Sequence, residues 1–224
     1  MLTSLGIIEP VTPLRPPAPP DPPLAAILRG LAPAQAEVIG GVLFEAGFRC
    51  LEVPLNRPGA LDCIAALARI APADALVGGG TLMTVADVDD VHAAGGRLMV
   101  SPHCDVELVA RAISLGMWCL PGVGTATEAF TALRIGAHGL KLFPAEVWGP
   151  RGLKALASVM PAGTLLWPVG GITPESIDAW VGAGATGFGI GGHLFRPGTT
   201  TAGTAASARA FMNAWSAAIA PDRR

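Results

Sequence analysis

The stretch His138-Gly-Leu-Lys-Leu-Phe-Pro144 is a short apolar segment that contains one lysine and ends in a proline. Its length and its last residue predict a β-strand, because proline cannot continue a sheet ladder. Side chains alternate along a strand, so Lys141 faces the side opposite to Leu140 and Leu142. A lysine inside an apolar strand needs either a charged partner or a chemical role.

Two other apolar segments contain or end at a charged residue. The segment Cys50-Leu-Glu-Val-Pro54 holds Glu52 between two apolar residues, and Ala25-Ala-Ile-Leu-Arg-Gly30 ends close to Arg29. Three charged residues, each in or at the end of a separate apolar strand, suggest one shared interior site. We therefore expect Lys141, Glu52 and Arg29 to meet in space.

From residue 24 onward, apolar segments of strand length alternate with alanine-rich segments of helical periodicity. The predicted strands lie near 24–29, 49–53, 75–78, 97–100, 117–120, 138–142, 165–169 and 187–190. Eight such repeats predict an α/β fold of the (β/α)8 TIM-barrel type, in which the strand ends converge on one mouth. An open doubly wound sheet is the alternative, but it needs a glycine-rich turn after the first strand, which Arg29-Gly-Leu-Ala-Pro33 does not supply.

The barrel is predicted to form a single domain over residues 24–220. Residues 1–23 carry a proline-rich tract, which excludes helix and central strand and favours an extended polyproline conformation. We expect a semi-rigid arm exposed to solvent, with docking on a neighbouring subunit as the alternative.

Composition narrows the possible partners. Apolar residues make up 51% of the chain and charged residues 14%, and the net charge is −2, which argues against nucleic acid as the main partner. The four cysteines form no CxxC pair, which predicts reduced thiols in a cytoplasmic protein. We expect neither a signal peptide nor a membrane-spanning segment. The histidines lack metal-ligand spacing, so no metal is expected.

The chemistry of Lys141 depends on its environment. A free lysine has a pKa of about 10.4, and an apolar interior lowers that value. A neutral amine can attack a carbonyl and form a Schiff base, for which Glu52 is the natural proton carrier. Alternatively, Lys141 and Glu52 form a structural ion pair. Arg29 suits a substrate carboxylate or phosphate, or else a salt bridge at the rim.

Glycine-rich turns follow several predicted strands. Gly170-Gly-Ile-Thr-Pro174 follows the seventh and Gly189-Ile-Gly-Gly-His193 the eighth, the places where barrel enzymes bind phosphate at helix N-termini. We therefore predict a phosphate site at Gly170, Gly171, Gly191, Gly192 and His193. Gly78-Gly-Gly-Thr81, after the third strand, is a weaker signal, because glycines also form ordinary turns.

Together these segments resemble the class I 2-keto-3-deoxy-6-phosphogluconate/6-phosphogalactonate aldolase family. The resemblance runs from residue 24 to about 218 and rests on motifs in the same order and with similar spacing. These motifs are Ile27-Leu-Arg-Gly30, Leu51-Glu-Val-Pro-Leu-Asn56, Gly78-Gly-Gly-Thr81, Ser101-Pro102, Pro121-Gly122, Lys141-Leu-Phe-Pro144 and Gly170-Gly-Ile172.

The resemblance implies a trimeric barrel enzyme without metal or organic cofactor. It implies Lys141 as the Schiff-base residue and Glu52 as the general acid and base. It further implies that the substrate-binding residues are Arg29 and Thr81 at the pyruvate carboxylate, Pro102 and Phe143 packing nearby, and Asn56 and Val169. The substrates would be a phosphorylated sugar acid and pyruvate.

Two positions bear on the substrate. The family usually has a serine in the turn after the eighth strand, where this chain has Gly191-Gly-His193, and we predict that His193 replaces it. Val169 stands where the phosphogluconate branch commonly has threonine, and here the chain resembles the phosphogalactonate branch. The expected activity is cleavage of 2-dehydro-3-deoxy-6-phosphogalactonate to pyruvate and D-glyceraldehyde 3-phosphate. The alternative substrates are its C4 epimer and a broader range of 2-keto-3-deoxy sugar acids. The alternative functions are a phosphosugar isomerase or epimerase and a non-catalytic sugar-phosphate binding protein.

Overall fold

A computed structural model describes residues 19–220. Within this range the strands coincide closely with the predicted apolar segments. They are β1 Leu24–Ile27, β2 Cys50–Pro54, β3 Leu76–Gly80, β4 Leu98–Val100, β5 Trp118–Leu120, β6 Gly122–Val123, β7 Leu140–Leu142, β8 Leu166–Pro168 and β9 Phe188–Ile190.

Eight α-helices alternate with these strands in the described part of the chain. They are α1 Ala36–Glu45, α2 Ala60–Ile70, α3 Val85–Ala93, α4 Val106–Ser114, α5 Ala126–Arg134, α6 Ala145–Ala157, α7 Ile177–Gly182 and α8 Thr201–Ala218. Short 3-10 turns at Pro33–Gln35 and Pro174–Ser176 precede α1 and α7. Thr84 caps α3 in a capping box with Asp87, which fixes where the loop after β3 becomes helix.

All strand pairs are parallel, and the sheet curls. One hydrogen-bonded set has the order β5-β4-β3-β2-β1-β9 and the other the order β6-β7-β8. The short strand β6, which was not predicted, follows β5 after Pro121, which has no N–H to donate to a ladder. The carbonyl of Pro121 still accepts from Lys141 N at 3.0 Å, and a bridge pairs Val169 with Gly189. The fold is therefore α/β, with a curled parallel sheet and eight helices, as predicted at this level.

The register places the predicted site residues on the inner face of the sheet. Ala25, Cys50 and Leu76 pair across β1 to β3 and belong to a small apolar cluster that also contains Trp118 and Trp167. Glu52 lies two residues beyond Cys50, so it points to the same face. Lys141 pairs with Trp167 and shares its face. Leu140 and Leu142 point the other way, into the larger core between sheet and helices.

Most of the predicted proline-rich arm, residues 1–18 of 1–23, lies outside the described residues. None of the helices within residues 19–220 has the length and hydropathy that a membrane span requires.

Candidate active site

Glu52 is buried in the middle of β2, with 2% of its surface exposed. Its carboxylate lies against Gly80 of β3, where any side chain would overlap it. Oε2 is buried and has no hydrogen-bond partner within the described residues. Burial raises the pKa of Glu52 from 4.5 to about 7, although the charges of Lys141 and Arg29 act in the opposite direction. Glu52 is therefore suited to exchange a proton near neutral pH.

Lys141 is buried in the middle of β7, with 5% of its surface exposed. Its Nζ lies 4.7 Å from the centre of the Phe143 ring. Burial lowers the pKa of Lys141, Glu52 raises it and Arg29 lowers it further. A lowered pKa increases the fraction of neutral amine, which is the nucleophilic form.

Lys141 and Glu52 are electrostatically coupled without direct contact. Each changes the pKa of the other. Within residues 19–220, no ion pair with an N–O distance of 4.0 Å or less joins them. This geometry favours two separate reactive groups that face one interior over a structural ion pair.

Arg29 follows β1 by two residues and is exposed at the mouth of the sheet. Its Nη1 donates a hydrogen bond of 3.2 Å to Oδ1 of Asn56, which follows β2. The loops after two neighbouring strands thus fix the position of this guanidinium. Arg29 lowers the pKa values of both Glu52 and Lys141, so the three predicted charges act on one another electrostatically.

Thr81 follows β3 directly and has φ 59°, in the left-handed region. A β-branched residue is strained there, and such strain occurs most often at functional sites. Pro102 follows β4, and its backbone lies so close to Gly122 that a side chain on Gly122 would overlap it. Both residues therefore lie at the strand ends that form the mouth.

A cavity of about 250 Å³ opens beside these groups. Eight of the predicted substrate- and phosphate-binding residues line this cavity. They are Arg29, Phe143, Val169, Gly170, Gly171, Gly191, Gly192 and His193. Phe143 joins the cavity to Lys141 through the ring contact described above. Glu52, Thr81, Pro102 and Asn56 do not line this cavity.

Val169 and the glycine turn after β8 form one wall. Val169 is 5% exposed and packs against Gly189 of β9, where a side chain would contact its methyl groups at 2.6 Å. Gly170 and Gly171 adopt φ values of 117° and 66°, which favour glycine. A side chain on Gly170 would also overlap the carboxylate of Glu146. The turn therefore needs glycine both for its backbone conformation and for space.

Sequence reasoning missed Arg196, which also lines the cavity. Its Nε donates a hydrogen bond of 2.6 Å to the carbonyl of Gly192. The sequence feature that could have identified Arg196 is its position between Phe195 and Pro197, in the same loop as the predicted phosphate turn.

Two relatives match the chain over most of its length. The 2-dehydro-3-deoxy-6-phosphogalactonate aldolase of Escherichia coli strain K12 is 42% identical over 196 residues, which is 88% of this chain and 96% of that protein. A probable enzyme of the same name from Rhizobium meliloti strain 1021 is 41% identical and covers 87% of this chain and 92% of its own length.

Solved structures give the same result. A structure described as native KDPGal superimposes with a TM-score of 0.86 at 42% identity, covering 88% of this chain and 96% of that one. KDPG aldolase of Legionella pneumophila, with pyruvate captured as a covalent carbinolamine, superimposes with a TM-score of 0.75 at 26% identity, covering 85% of this chain and 93% of that one.

The sequence model of one protein family, described as KDPG and KHG aldolase, matches residues 23–207. Together with the identity to the Escherichia coli protein and the position of a buried lysine and glutamate on the inner face of the sheet, this match assigns the chain. The chain belongs to the KDPG and KHG aldolase family.

Proposed function

We propose that this protein is a class I aldolase that cleaves 2-dehydro-3-deoxy-6-phosphogalactonate reversibly to pyruvate and D-glyceraldehyde 3-phosphate. The observation that carries the proposal is the buried pair of Lys141, whose pKa is lowered, and Glu52, whose pKa is about 7. An amine and a carboxyl group tuned toward neutrality are what Schiff-base chemistry with proton transfer requires.

The first half of the reaction forms the imine. The neutral amine of Lys141 attacks the C2 ketone of the substrate and gives a carbinolamine. Glu52, in its protonated form, donates a proton to the C2 hydroxyl, which leaves as water and produces an iminium. Since Oε2 of Glu52 is buried and free of hydrogen bonds within the described residues, the substrate meets no competing partner there.

The second half breaks the C3–C4 bond. Glu52, now a carboxylate, accepts the proton of the C4 hydroxyl while the electrons of the C3–C4 bond move into the iminium. D-Glyceraldehyde 3-phosphate leaves, and the protonated Glu52 donates its proton to C3 of the remaining enamine. Water then hydrolyses the pyruvyl iminium, which releases pyruvate and regenerates the amine of Lys141.

The pyruvate end of the substrate is assigned to the strand ends around Arg29. Its guanidinium, oriented by Asn56, can hold a carboxylate through two parallel hydrogen bonds. The hydroxyl of Thr81 is assigned to the same carboxylate, which accounts for a strained backbone at that position. Pro102 and Phe143 supply apolar contact beside the reacting carbons.

The phosphate end is assigned to the turns after β8 and β9. Backbone N–H groups of Gly170, Gly171, Gly191 and Gly192 would approach the phosphate, with His193 beside them. The 3-10 turn at Pro174–Ser176 and helix α7 start just after the first turn, and N-terminal N–H groups favour anions. We assign Val169, which lines the cavity next to Gly170, to the wall that faces C4.

Borohydride trapping tests the proposal directly, because the chain has only two lysines, Lys141 and Lys154. Reduction in the presence of pyruvate should add a pyruvyl group to the peptide that contains Lys141. The variant Lys154→Met, altered on helix α6, is the matched control and should label fully. Labelling of Lys154, or no labelling, would disprove the mechanism. Pyruvate release from the phosphorylated substrate separates an aldolase from an isomerase and from a binding protein.

The broader arrangement follows from the same proposal. We take residues 24–220 as one domain whose strands close into a (β/α)8 barrel, supported by the bridge between Val169 and Gly189.

A homotrimer is supported by apolar side chains exposed on α5 and α6, namely Phe130, Val147 and Trp148. A cytoplasmic location is supported by four free cysteines, since oxidising compartments favour disulfides.

A further inference from the structure

The turn after β9 is held rigidly by its neighbours. The backbone N–H groups of Leu194 and Phe195 both donate to the carbonyl of Gly191, at 2.8 and 3.1 Å. The side chains of Leu194 and Phe195 are buried in the main core. The next residue, Arg196, therefore leaves the core at a fixed point at the edge of the cavity.

Contacts on both sides order Arg196 itself. Its backbone N–H donates to Oγ1 of Thr199 at 3.3 Å, and its carbonyl accepts from the backbone N–H of Thr199 at 2.9 Å. Its side chain folds back so that Nε donates to the carbonyl of Gly192. A Cβ on Gly192 would lie 3.2 Å from that Nε, so the guanidinium fills space that a side chain at residue 192 would need.

The charge of Arg196 is available to a ligand. Its one side-chain hydrogen bond within the described residues uses Nε, which leaves the four N–H groups of the two terminal nitrogens unused. None of the ion pairs formed in residues 19–220 includes Arg196. The cavity that it lines contains two arginines and no acidic side chain. Such a site favours an anion with several acceptor oxygens.

We propose that Arg196 is a substrate-binding residue that recognises the phosphate of the substrate and replaces the serine missing from the turn after β9. This inference rests on the proposed function and adds to it the group that discriminates phosphorylated from unphosphorylated substrate. The glycine turns supply backbone N–H groups, and Arg196 supplies the positive charge.

His193 is a weaker candidate for the same role. It is exposed, and it lies close enough to Glu175 to act on that carboxyl group. The pKa of Glu175 is lowered mainly by a backbone hydrogen bond, next by Thr173 and least by His193. A histidine that faces a carboxylate offers little net charge to a phosphate. An arginine keeps its full charge at any physiological pH.

Binding of inorganic phosphate tests the proposal without turnover. Affinity is measured by calorimetry at constant ionic strength for the wild type and for Arg196→Gln, Arg196→Lys, His193→Ala and Arg57→Gln. Arg57 is an exposed arginine beside Arg29 that does not line the cavity, so it is the matched control. We expect Arg196→Gln to weaken phosphate binding about 10- to 100-fold and the control Arg57→Gln to change it less than about threefold, while His193→Ala should weaken it less than Arg196→Gln does. Arg196→Lys should fall between, because lysine retains the charge and loses the planar donor pair.

Three results would overturn the inference: wild-type affinity in Arg196→Gln, an equal loss in His193→Ala, or no phosphate binding by the wild type. Turnover then adds a second check. Arg196→Gln should lower kcat/KM for the phosphorylated substrate and leave that for the unphosphorylated analogue unchanged, and an equal loss for both would contradict the proposal. Failure of the aldolase assignment would look different, since borohydride trapping with pyruvate would fail in the wild type while phosphate binding still depended on Arg196.

Discussion

Gly80 makes room for Glu52: any side chain at residue 80 would overlap the carboxylate across the β2–β3 ladder. The burial that raises the pKa of Glu52 thus depends on a missing side chain on the neighbouring strand. This relationship can be tested separately from the carboxylate itself.

We expect Gly80→Ala to displace the Glu52 carboxylate and reduce kcat at least tenfold, because general acid–base groups contribute roughly 10²–10⁴-fold. Overpacking should also lower the free energy of unfolding by about 1–3 kcal/mol. Gly79→Ala is the matched control: a side chain there meets Val91 and Leu82, on the helix side of the same strand. It should destabilise comparably and retain kcat. Equal kcat losses in both variants would show that stability, not Glu52, is responsible.

The pH dependence of cleavage should follow Glu52. Glu52 must start in its protonated form to release the C2 hydroxyl as water, so its ionisation should make kcat/KM fall about tenfold per unit as pH rises above about 7. Glu52→Gln should reduce kcat about 10²–10⁴-fold and remove that limb of the profile. A limb near pH 7 that persists in Glu52→Gln belongs to another group and contradicts the assignment.

Stability should also respond to the proton on Glu52. The pKa is raised from 4.5 to about 7 in the folded state, so the folded protein binds this proton more tightly than the unfolded chain. The resulting stabilisation is complete below pH 4.5 and is lost as pH rises through 7. Glutamine does not titrate. The free energy of unfolding is measured in urea for the wild type and for Glu52→Gln. The wild-type value minus the value of the variant should therefore fall by on the order of 3 kcal/mol across this range. A constant difference would show that Glu52 keeps an ordinary pKa in the fold.

Val169 should determine how strictly the enzyme reads C4. An apolar wall discriminates between epimers by about 1–3 kcal/mol at most, so the galacto epimer should be preferred and the gluco epimer tolerated. Val169→Thr keeps the shape and adds a hydroxyl, which should shift the kcat/KM ratio toward the gluco epimer by about 0.5–1.5 kcal/mol.

The matched control for that change is Val169→Ala, which removes volume without adding a donor and should leave the ratio nearly unchanged. Strong selectivity of the wild type for the gluco epimer would overturn the substrate assignment. An unchanged ratio in Val169→Thr would show that Val169 does not contact C4.

Much of the fold and the centre of the site followed from the sequence. The strands β2 and β7 could be located because each is a short apolar segment closed by proline. Period-two alternation then indicated which face of each strand carries Glu52 and Lys141. Parallel strands joined by helices then required those faces to converge. A single charge in an apolar strand is a strong signal because the energetic cost of burying it is high.

Other features depended on tertiary packing. Arg196 is an ordinary loop arginine in sequence, and only the folded turn brings its Nε to the carbonyl of Gly192. The short strand β6 beyond Pro121 was missed because the nitrogen of this proline cannot join the ladder, although its carbonyl does. The left-handed backbone of Thr81 was equally hidden, because threonine rarely adopts it and packing imposes it here.

Thr81 also places two demands on one position. Its left-handed backbone costs about 1–2 kcal/mol relative to a conformation that an L-residue prefers, and glycine would remove that cost together with the hydroxyl. With the hydroxyl assigned to the substrate carboxylate, selection for heat tolerance favours glycine at residue 81 and selection for turnover favours threonine. Directed evolution of this protein toward thermostability will therefore select against catalytic efficiency at residue 81. The conflict is avoided only if substitutions elsewhere in the chain supply the stability that Thr81 costs.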